Sequence, residues 1–184
     1  MSKFLVGLVL GAVAVPLMVY AYFLSGSAPV ATSAPPMPFE IMLAHKALHA
    51  AIEKEMPKEV PIQATEANFA AGAQVYREHC AVCHGLPGQP ATAIAKGMFP
   101  KPPVLLEGKG VTDDPAGESY WKVANGIRLT GMPGFKQSLN ETQMWQVSLL
   151  LAQEDKLPAS VKTILAAPVM SATVASPEAE GRSK

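Results

Sequence analysis

The chain opens with an uninterrupted apolar segment. Residues 4–24 contain no charged side chain, and a helix of that length spans about 31 Å, the thickness of the hydrocarbon core of a bilayer. Tyr20 and Tyr22 lie near its end, where aromatic rings favour the membrane surface. We expect residues 1–25 to form a transmembrane anchor or an uncleaved signal. The alternative is a cleaved signal peptide, although signal cores are usually about 7–15 residues long.

Two further segments precede the part of the chain that is predicted to form a domain. Residues 26–38 carry four prolines and no charge, which predicts an extended, semi-rigid linker. Residues 39–60 are predicted to be an accessory segment with an amphipathic helix over residues 39–56, ending before Pro57. The apolar stripe of this helix contains Ile41, Leu48 and Ile52.

Residues 61–166 are predicted to form one small all-α domain with three helices. The first begins at a Thr65 cap and runs to about Cys83. The second begins at Asp114 and Pro115 and ends at Gly126. The third contains Trp145 and starts at one of two capping boxes. These boxes are Asn140 with Gln143, or Ser138 with Glu141.

Two stretches of the chain show no helical or strand periodicity. Residues 85–111 hold five prolines and five glycines and are predicted to be loop. A loop of that length inside a compact domain needs something to wrap around. Residues 167–184 are small, polar and aperiodic, which predicts a disordered tail.

The charge and cysteine content of the 184-residue chain exclude some classes of protein. Fifteen Lys and Arg residues balance fifteen Asp and Glu residues, so the chain has no basic excess for binding nucleic acid. Two cysteines are too few for a disulfide framework.

The two cysteines lie in the string Cys80-Ala81-Val82-Cys83-His84, which has the C-x-x-C-H pattern of c-type haem attachment. Two thiols at this spacing on a helix end can reach one edge of a porphyrin, and the following imidazole can reach the iron. The string therefore predicts one covalent haem c on Cys80 and Cys83, with His84 as an axial ligand.

Three other readings of the cysteine pair stay open from the residues alone. A thioredoxin-type redox pair would need a strand–helix setting. A zinc site would need four ligands, commonly from two separated pairs. The third alternative is a pair of buried structural cysteines.

Met132 is the best candidate for the second axial ligand among nine methionines. It lies 48 residues after His84 in the string Thr130-Gly131-Met132-Pro133-Gly134, where two glycines let the backbone approach a flat group closely. Met98 is the second candidate, and Met144 is expected in the core. Ligation by Met and His would raise the potential of the iron.

These features resemble the class I monohaem cytochromes c. The resemblance extends from about residue 66 to residue 157. It is carried by Gly72, Tyr76 and Cys80 at four-residue spacing, by Trp145 with Leu149, and by the string from Tyr120 to Ile127 that leads to Met132 and Pro133. It implies a small helical domain around one haem, preceded here by a transmembrane helix.

The resemblance also implies roles for particular residues. Gly72 would let the C-terminal helix cross closely, with Tyr76 and Trp145 packed at the crossing. A carbonyl of Pro102 or Pro103 would accept the proton of the His84 ring nitrogen that faces away from the iron.

Five further residues have the following expected roles. Trp121 and Arg128 are candidates for contact with the haem propionates, with core packing and a solvated charge as the respective alternatives. His45 and His49 are expected to be ordinary surface histidines of the accessory helix. His79 is expected to face solvent.

The function that follows is one-electron transfer by a membrane-tethered c-type cytochrome, with no substrate transformed and hence no enzyme activity. Its partners would be donor and acceptor redox proteins of respiratory or photosynthetic complexes, with no nucleic acid and no small-molecule substrate. The haem domain would lie on the periplasmic side of a bacterial cytoplasmic membrane. The alternatives are a permanent monohaem subunit of a larger electron-transfer complex, and a haem peroxidase or gas sensor.

Overall fold

The computed structural model describes residues 2–107 and 114–168. These residues form helices and no strand, so the predicted all-α fold class is confirmed. The helices are α1 (Ser2–Leu24), α2 (Glu40–Glu55), α3 (Glu66–Val75), α4 (Ala81–His84), α5 (Ala93–Gly97), α6 (Ala116–Asn125), α7 (Glu141–Ala152) and α8 (Ala159–Ala166). A π-helical turn, Tyr76–Cys80, joins α3 to α4, and a 3-10 turn, Glu154–Lys156, follows α7.

Helix α1 is exposed along its whole length. By length and composition it could cross a membrane, and a signal sequence would meet the same criteria. Both readings of residues 1–25 therefore stay open. Of the predicted disordered tail, residues 169–184 lie outside the described residues.

The helix starts follow local capping, with one correction. The Thr65 hydroxyl accepts from the Asn68 amide at 3.3 Å, as expected. Helix α7 uses the Asn140–Gln143 box, in which both reciprocal bonds form. Helix α6 begins one residue later than expected, with Pro115 at the cap position. Asp114 does not cap the helix, because its carboxylate pairs with the Lys122 ammonium at 3.5 Å.

The stretch predicted to be loop throughout contains the short helix α5. The Thr92 hydroxyl accepts from the Ala95 amide at 3.1 Å and caps the helix. Five residues are too few to show a helical period, so the sequence pattern misses this element.

The core forms where α3 and α6 pack on α7 and where α8 packs on α3. A side chain on Gly72 would overlap the Gln146 carbonyl oxygen and lie 3.2 Å from the Leu150 Cβ, so the close crossing at Gly72 is confirmed. Gln146 and Leu150 are the α7 residues nearest to Gly72. Trp145 instead stacks on Tyr120 of α6, with ring centroids 4.1 Å apart, because it lies on another face of α7 from Gln146 and Leu150.

Helix α2 packs against α6, close to its predicted bounds of 39–56. Ile52 is 1% exposed, and the Pro57 carbonyl lies so close to Gly117 that any side chain there would overlap it. The N-terminal half of α2 is not covered, since Ile41 and Leu43 are exposed. Only the C-terminal half of the predicted apolar stripe is therefore buried.

Candidate functional site

The cysteine pair lies where the first domain helix ends. Cys80 closes the π-helical turn, Cys83 lies in α4, and Gly85, with a φ of +80°, ends that helix. Both thiols are free and half-buried. Burial, together with the charge of Cys83, raises the pKa of Cys80 to about 12. A raised pKa disfavours the reactive thiolate that a thioredoxin-type redox pair requires.

A zinc site is the second alternative interpretation of the cysteine pair. The part of the chain that the structure describes contains no group of three or more His, Cys, Asp or Glu side chains that could hold a metal ion. A zinc site built from amino-acid ligands alone needs such a group.

The imidazole of His84 is oriented by a backbone carbonyl. Its Nδ1 lies 2.8 Å from the Pro103 oxygen, so Nδ1–H donates and Nε2 keeps its lone pair for a metal. Burial lowers the pKa of His84, and the bond to Pro103 partly opposes this effect. The ring is therefore neutral at pH 7, the form that ligates iron. Between the two prolines that the sequence leaves open, Pro103 makes this contact.

Two side-chain hydroxyls hold the short helix α4. Tyr76 is fully buried and donates to the Gly85 carbonyl at 2.9 Å. Burial raises the pKa of its phenol, and the nearby Cys80 adds to this effect. The Thr92 hydroxyl donates to the Val82 carbonyl at 2.6 Å. These bonds fix the cysteines and His84 relative to the core.

The loop that carries Met132 is bound to the C-terminal end of α6. The Ile127 amide donates to the Met132 carbonyl at 3.1 Å, and the Met132 amide donates to the Thr130 hydroxyl at 3.1 Å. The Phe135 amide donates to the Val123 carbonyl at 2.9 Å. Met132 itself is half-buried against the core.

Two other methionines, Met98 and Met144, are expected from the sequence to be the second candidate ligand and a core residue. The Met98 methyl group lies against Gly131, so this second candidate ligand adjoins the same loop. Met144 is buried on α7, as expected for a core residue.

The remaining candidate residues face different surroundings. The Trp121 indole N–H donates to the Glu55 carboxylate of α2 at 3.1 Å, a contact that the sequence does not indicate. Arg128 is exposed, Pro102 is half-buried, and His45 and His49 are exposed on α2.

His79 differs from its expected solvent exposure. It is half-buried, and its ring lies edge-on to Phe135 with centroids 5.9 Å apart. The expectation fails because the C-terminal side of the Met132 loop folds back over this part of the π-helical turn.

Arg77 is a residue that the sequence does not single out. Its guanidinium donates to the carbonyls of Ile164 at 3.0 Å, Ala167 at 2.6 Å and Pro168 at 3.1 Å. It therefore ties the end of α8 to the turn that carries Cys80. No local pattern could reveal a contact between residues about ninety positions apart.

The residues of the site fit a covalently attached haem. A neutral His84 with a free Nε2 follows directly on two half-buried thiols, and a half-buried thioether is available at Met132. Three exposed apolar side chains, one in α4 and two close in sequence to Thr92 and Pro103, provide surface that a flat apolar group would cover. They are Val82, Ile94 and Val104.

Comparisons with known proteins give the following matches. Residues 67–149 match the family described as cytochrome C oxidase, cbb3-type, subunit III, and this range contains Cys80, Cys83, His84 and Met132. Among curated proteins, none matches the chain. One solved structure that matches is a chain of the reducing HAO-like protein complex of Kuenenia stuttgartiensis. It is 24% identical with a TM-score of 0.45, over 56% of this chain and 53%, about half, of that chain.

Proposed function

We propose that the chain is a membrane-tethered one-electron carrier, on the premise that residues 67–149 are a class I monohaem c-type cytochrome domain with covalently bound haem c. Cys80 and Cys83 would hold the haem through thioether bonds, and His84 and Met132 would ligate its iron. One observation carries the proposal: the neutral His84 ring follows the cysteine pair directly and is bonded through Nδ1 to Pro103 at 2.8 Å.

When bound, the haem supplies one-electron chemistry between Fe(III) and Fe(II). The chain contributes the conditions for it. The Pro103 carbonyl orients His84 and makes its imidazole a stronger donor. The Met132 thioether raises the potential relative to His ligation alone. Hydrogen bonds at both the amide and the carbonyl of Met132 keep its loop in place when the charge of the site changes.

The proposed tether is helix α1, and the proposed partners are redox proteins of the same membrane. As an anchor, α1 would hold the haem domain on the periplasmic side of a bacterial cytoplasmic membrane. Donor and acceptor would be redox proteins of respiratory or photosynthetic complexes in the same membrane. Confinement near their surface raises the effective concentration of the carrier for both.

A second candidate function is that of a permanent monohaem subunit of a larger electron-transfer complex. Two observations favour it. The matched family is described as an oxidase subunit, and Ile41, Met42 and Leu43 expose apolar surface on α2. Elution of the mildly solubilised native protein at the size of a large complex supports this reading, whereas elution near monomer size supports a free carrier.

The ligand assignment is tested with Met132→Ala, purified with its haem. The haem should stay attached through the two cysteines while the midpoint potential falls markedly and the ferric iron–sulfur band disappears. Met98→Ala is the matched control, since Met98 adjoins the same loop, and it should keep both properties. An unchanged potential in Met132→Ala contradicts the assignment.

Carbon monoxide distinguishes the carrier from a peroxidase or gas sensor. The reduced wild-type protein should bind it slowly or not at all, because Met132 occupies the position it would take. Reduced Met132→Ala should bind it rapidly. Rapid binding to the wild type would favour the peroxidase or gas-sensor reading.

A further inference from the structure

The accessory segment, residues 39–60, packs on the helix whose end carries the Met132 loop. Ile52 is buried, the Pro57 carbonyl lies against Gly117, and the Glu55 carboxylate accepts the Trp121 indole N–H at 3.1 Å. These contacts follow α6 from its first turn to its middle. They are made by a segment outside the matched cytochrome domain.

A continuous set of contacts extends from Trp121 to the loop. The Trp121 carbonyl accepts from the Asn125 side-chain amide at 2.9 Å, and the Asn125 side-chain oxygen accepts from the Lys136 ammonium at 2.9 Å. A side chain on Gly134 would lie 2.8 Å from the Asn125 carbonyl carbon and oxygen. The backbone of the loop therefore rests directly on the end of α6.

We propose that Glu55 is a positioning residue for the axial methionine, acting through Trp121 and the end of α6 on the Met132 loop. This inference rests on the proposed ligation of iron by Met132. The loop contacts the C-terminal end of α6, and the accessory segment contacts the same helix from its first turn to its middle. Removing the Glu55 carboxylate frees the indole N–H and loosens α6 against α2. The loop that rests on α6 then opens more often.

Imidazole measures the open fraction of the loop. It binds ferric iron only when Met132 has left, so its apparent affinity is proportional to the fraction of protein with the loop open. In the full-length holoprotein, Glu55→Ala should raise the apparent imidazole affinity about threefold, the effect of losing one exposed hydrogen bond to a carboxylate. The ferric iron–sulfur band should also disappear at a lower temperature than in the wild type.

Three further variants separate positioning from charge and from folding. Glu55→Gln keeps an oxygen acceptor for the indole and should behave like the wild type. Glu53→Ala removes the same charge from the opposite face of α2 and should also behave like the wild type. Trp121→Phe should reproduce Glu55→Ala, and the double variant should add nothing further.

Each outcome decides between defined possibilities. A wild-type imidazole affinity in Glu55→Ala overturns the positioning role while leaving the ligand assignment intact. An equal rise in both would show an effect of charge alone, and also overturns it. Absence of the iron–sulfur band in the wild type overturns the ligation by Met132, and the positioning role with it.

Discussion

Gly126 holds the Met132 loop against α6 because its conformation and its lack of a side chain are both needed. Its φ is +68°, and a Cβ there would lie 2.5 Å from the Gly134 nitrogen and 2.8 Å from the Met132 oxygen. Gly126→Ala should therefore displace the loop and cost about 2 kcal/mol or more of unfolding free energy. The ferric iron–sulfur band should weaken, which absorbance spectroscopy and denaturant unfolding can measure together.

Gly131→Ala is the control for that substitution. A Cβ at Gly131 would meet the flexible end of the Met98 side chain, which can move at little cost. This variant should keep the iron–sulfur band and most of its stability. Equal losses in the two variants would show that any added methyl group near Met132 disturbs the ligand, whatever its contact.

Tyr76 should make stability fall at high pH. Its pKa is raised above its ordinary value, first by burial, so the folded state holds the phenolic proton more tightly than the unfolded state. The stability from this difference is complete below about pH 10, the ordinary tyrosine pKa, and is lost as the pH rises above it. Unfolding free energy measured by circular dichroism should decline between about pH 10 and pH 12.

Tyr76→Phe removes this titration and also the bond to Gly85. At pH 8 the variant should be about 1 kcal/mol less stable than the wild type, because one hydrogen bond to a buried carbonyl is lost. Between about pH 10 and pH 12 it should lose less stability than the wild type does. Parallel curves over that range would assign the alkaline loss to other groups.

At the scale of elements, α8 should depend on Arg77 for its attachment. Cations stabilise a helix at its C-terminus, and here one guanidinium donates to several carbonyls at the end of α8. Arg77→Leu keeps an apolar stem but loses these bonds, so it should cost about 1–3 kcal/mol of unfolding free energy. Amides of α8 should exchange hydrogen faster, while those of α7 change little.

Lys162→Ala serves as the control for this clamp, since Lys162 is exposed on the same helix. It should leave both stability and exchange unchanged. Unaltered exchange of α8 amides in Arg77→Leu would mean that the buried Val161 and Leu165 hold the helix by themselves.

The elements differ in how far the sequence predicts them, and the reason is the range of the interactions. Caps are local, so Thr65 and Asn140 mark their helix starts correctly. Attachment by two cysteines and a histidine is likewise a local pattern.

Contacts across the chain are less predictable. The choice of Pro103 over Pro102 depends on the path of a loop without periodicity. The stacking of Trp145 on Tyr120 and the clamp of Arg77 join distant segments, and no local pattern records which face of one helix meets another. The docking of α2 on α6 lies beyond the resemblance for the same reason.

At the scale of the whole molecule, the linker limits how far the proposed anchor lets the haem domain move. Residues 26–38 can extend about 40 Å in polyproline II geometry. This is an upper limit, since in the structure Pro35 and Pro36 bound a cavity together with Phe99 and Leu129 of the haem domain. A domain confined to such a layer meets membrane partners at an effective concentration on the order of millimolar.

Replacing residues 1–24 with a cleavable signal peptide separates tethering from electron transfer. Export and haem attachment then continue, and the haem protein should move from the alkali-washed membrane fraction to the soluble fraction. Its spectrum and midpoint potential should match those of the native protein, because α1 is exposed along its length and supplies no contact to the site. Its reduction by isolated membranes should slow and become dependent on its concentration. Without the anchor, the protein reaches its partners by diffusion from bulk solution and loses the high effective concentration at the membrane surface. Soluble behaviour of the native chain would instead show that α1 is removed as a signal.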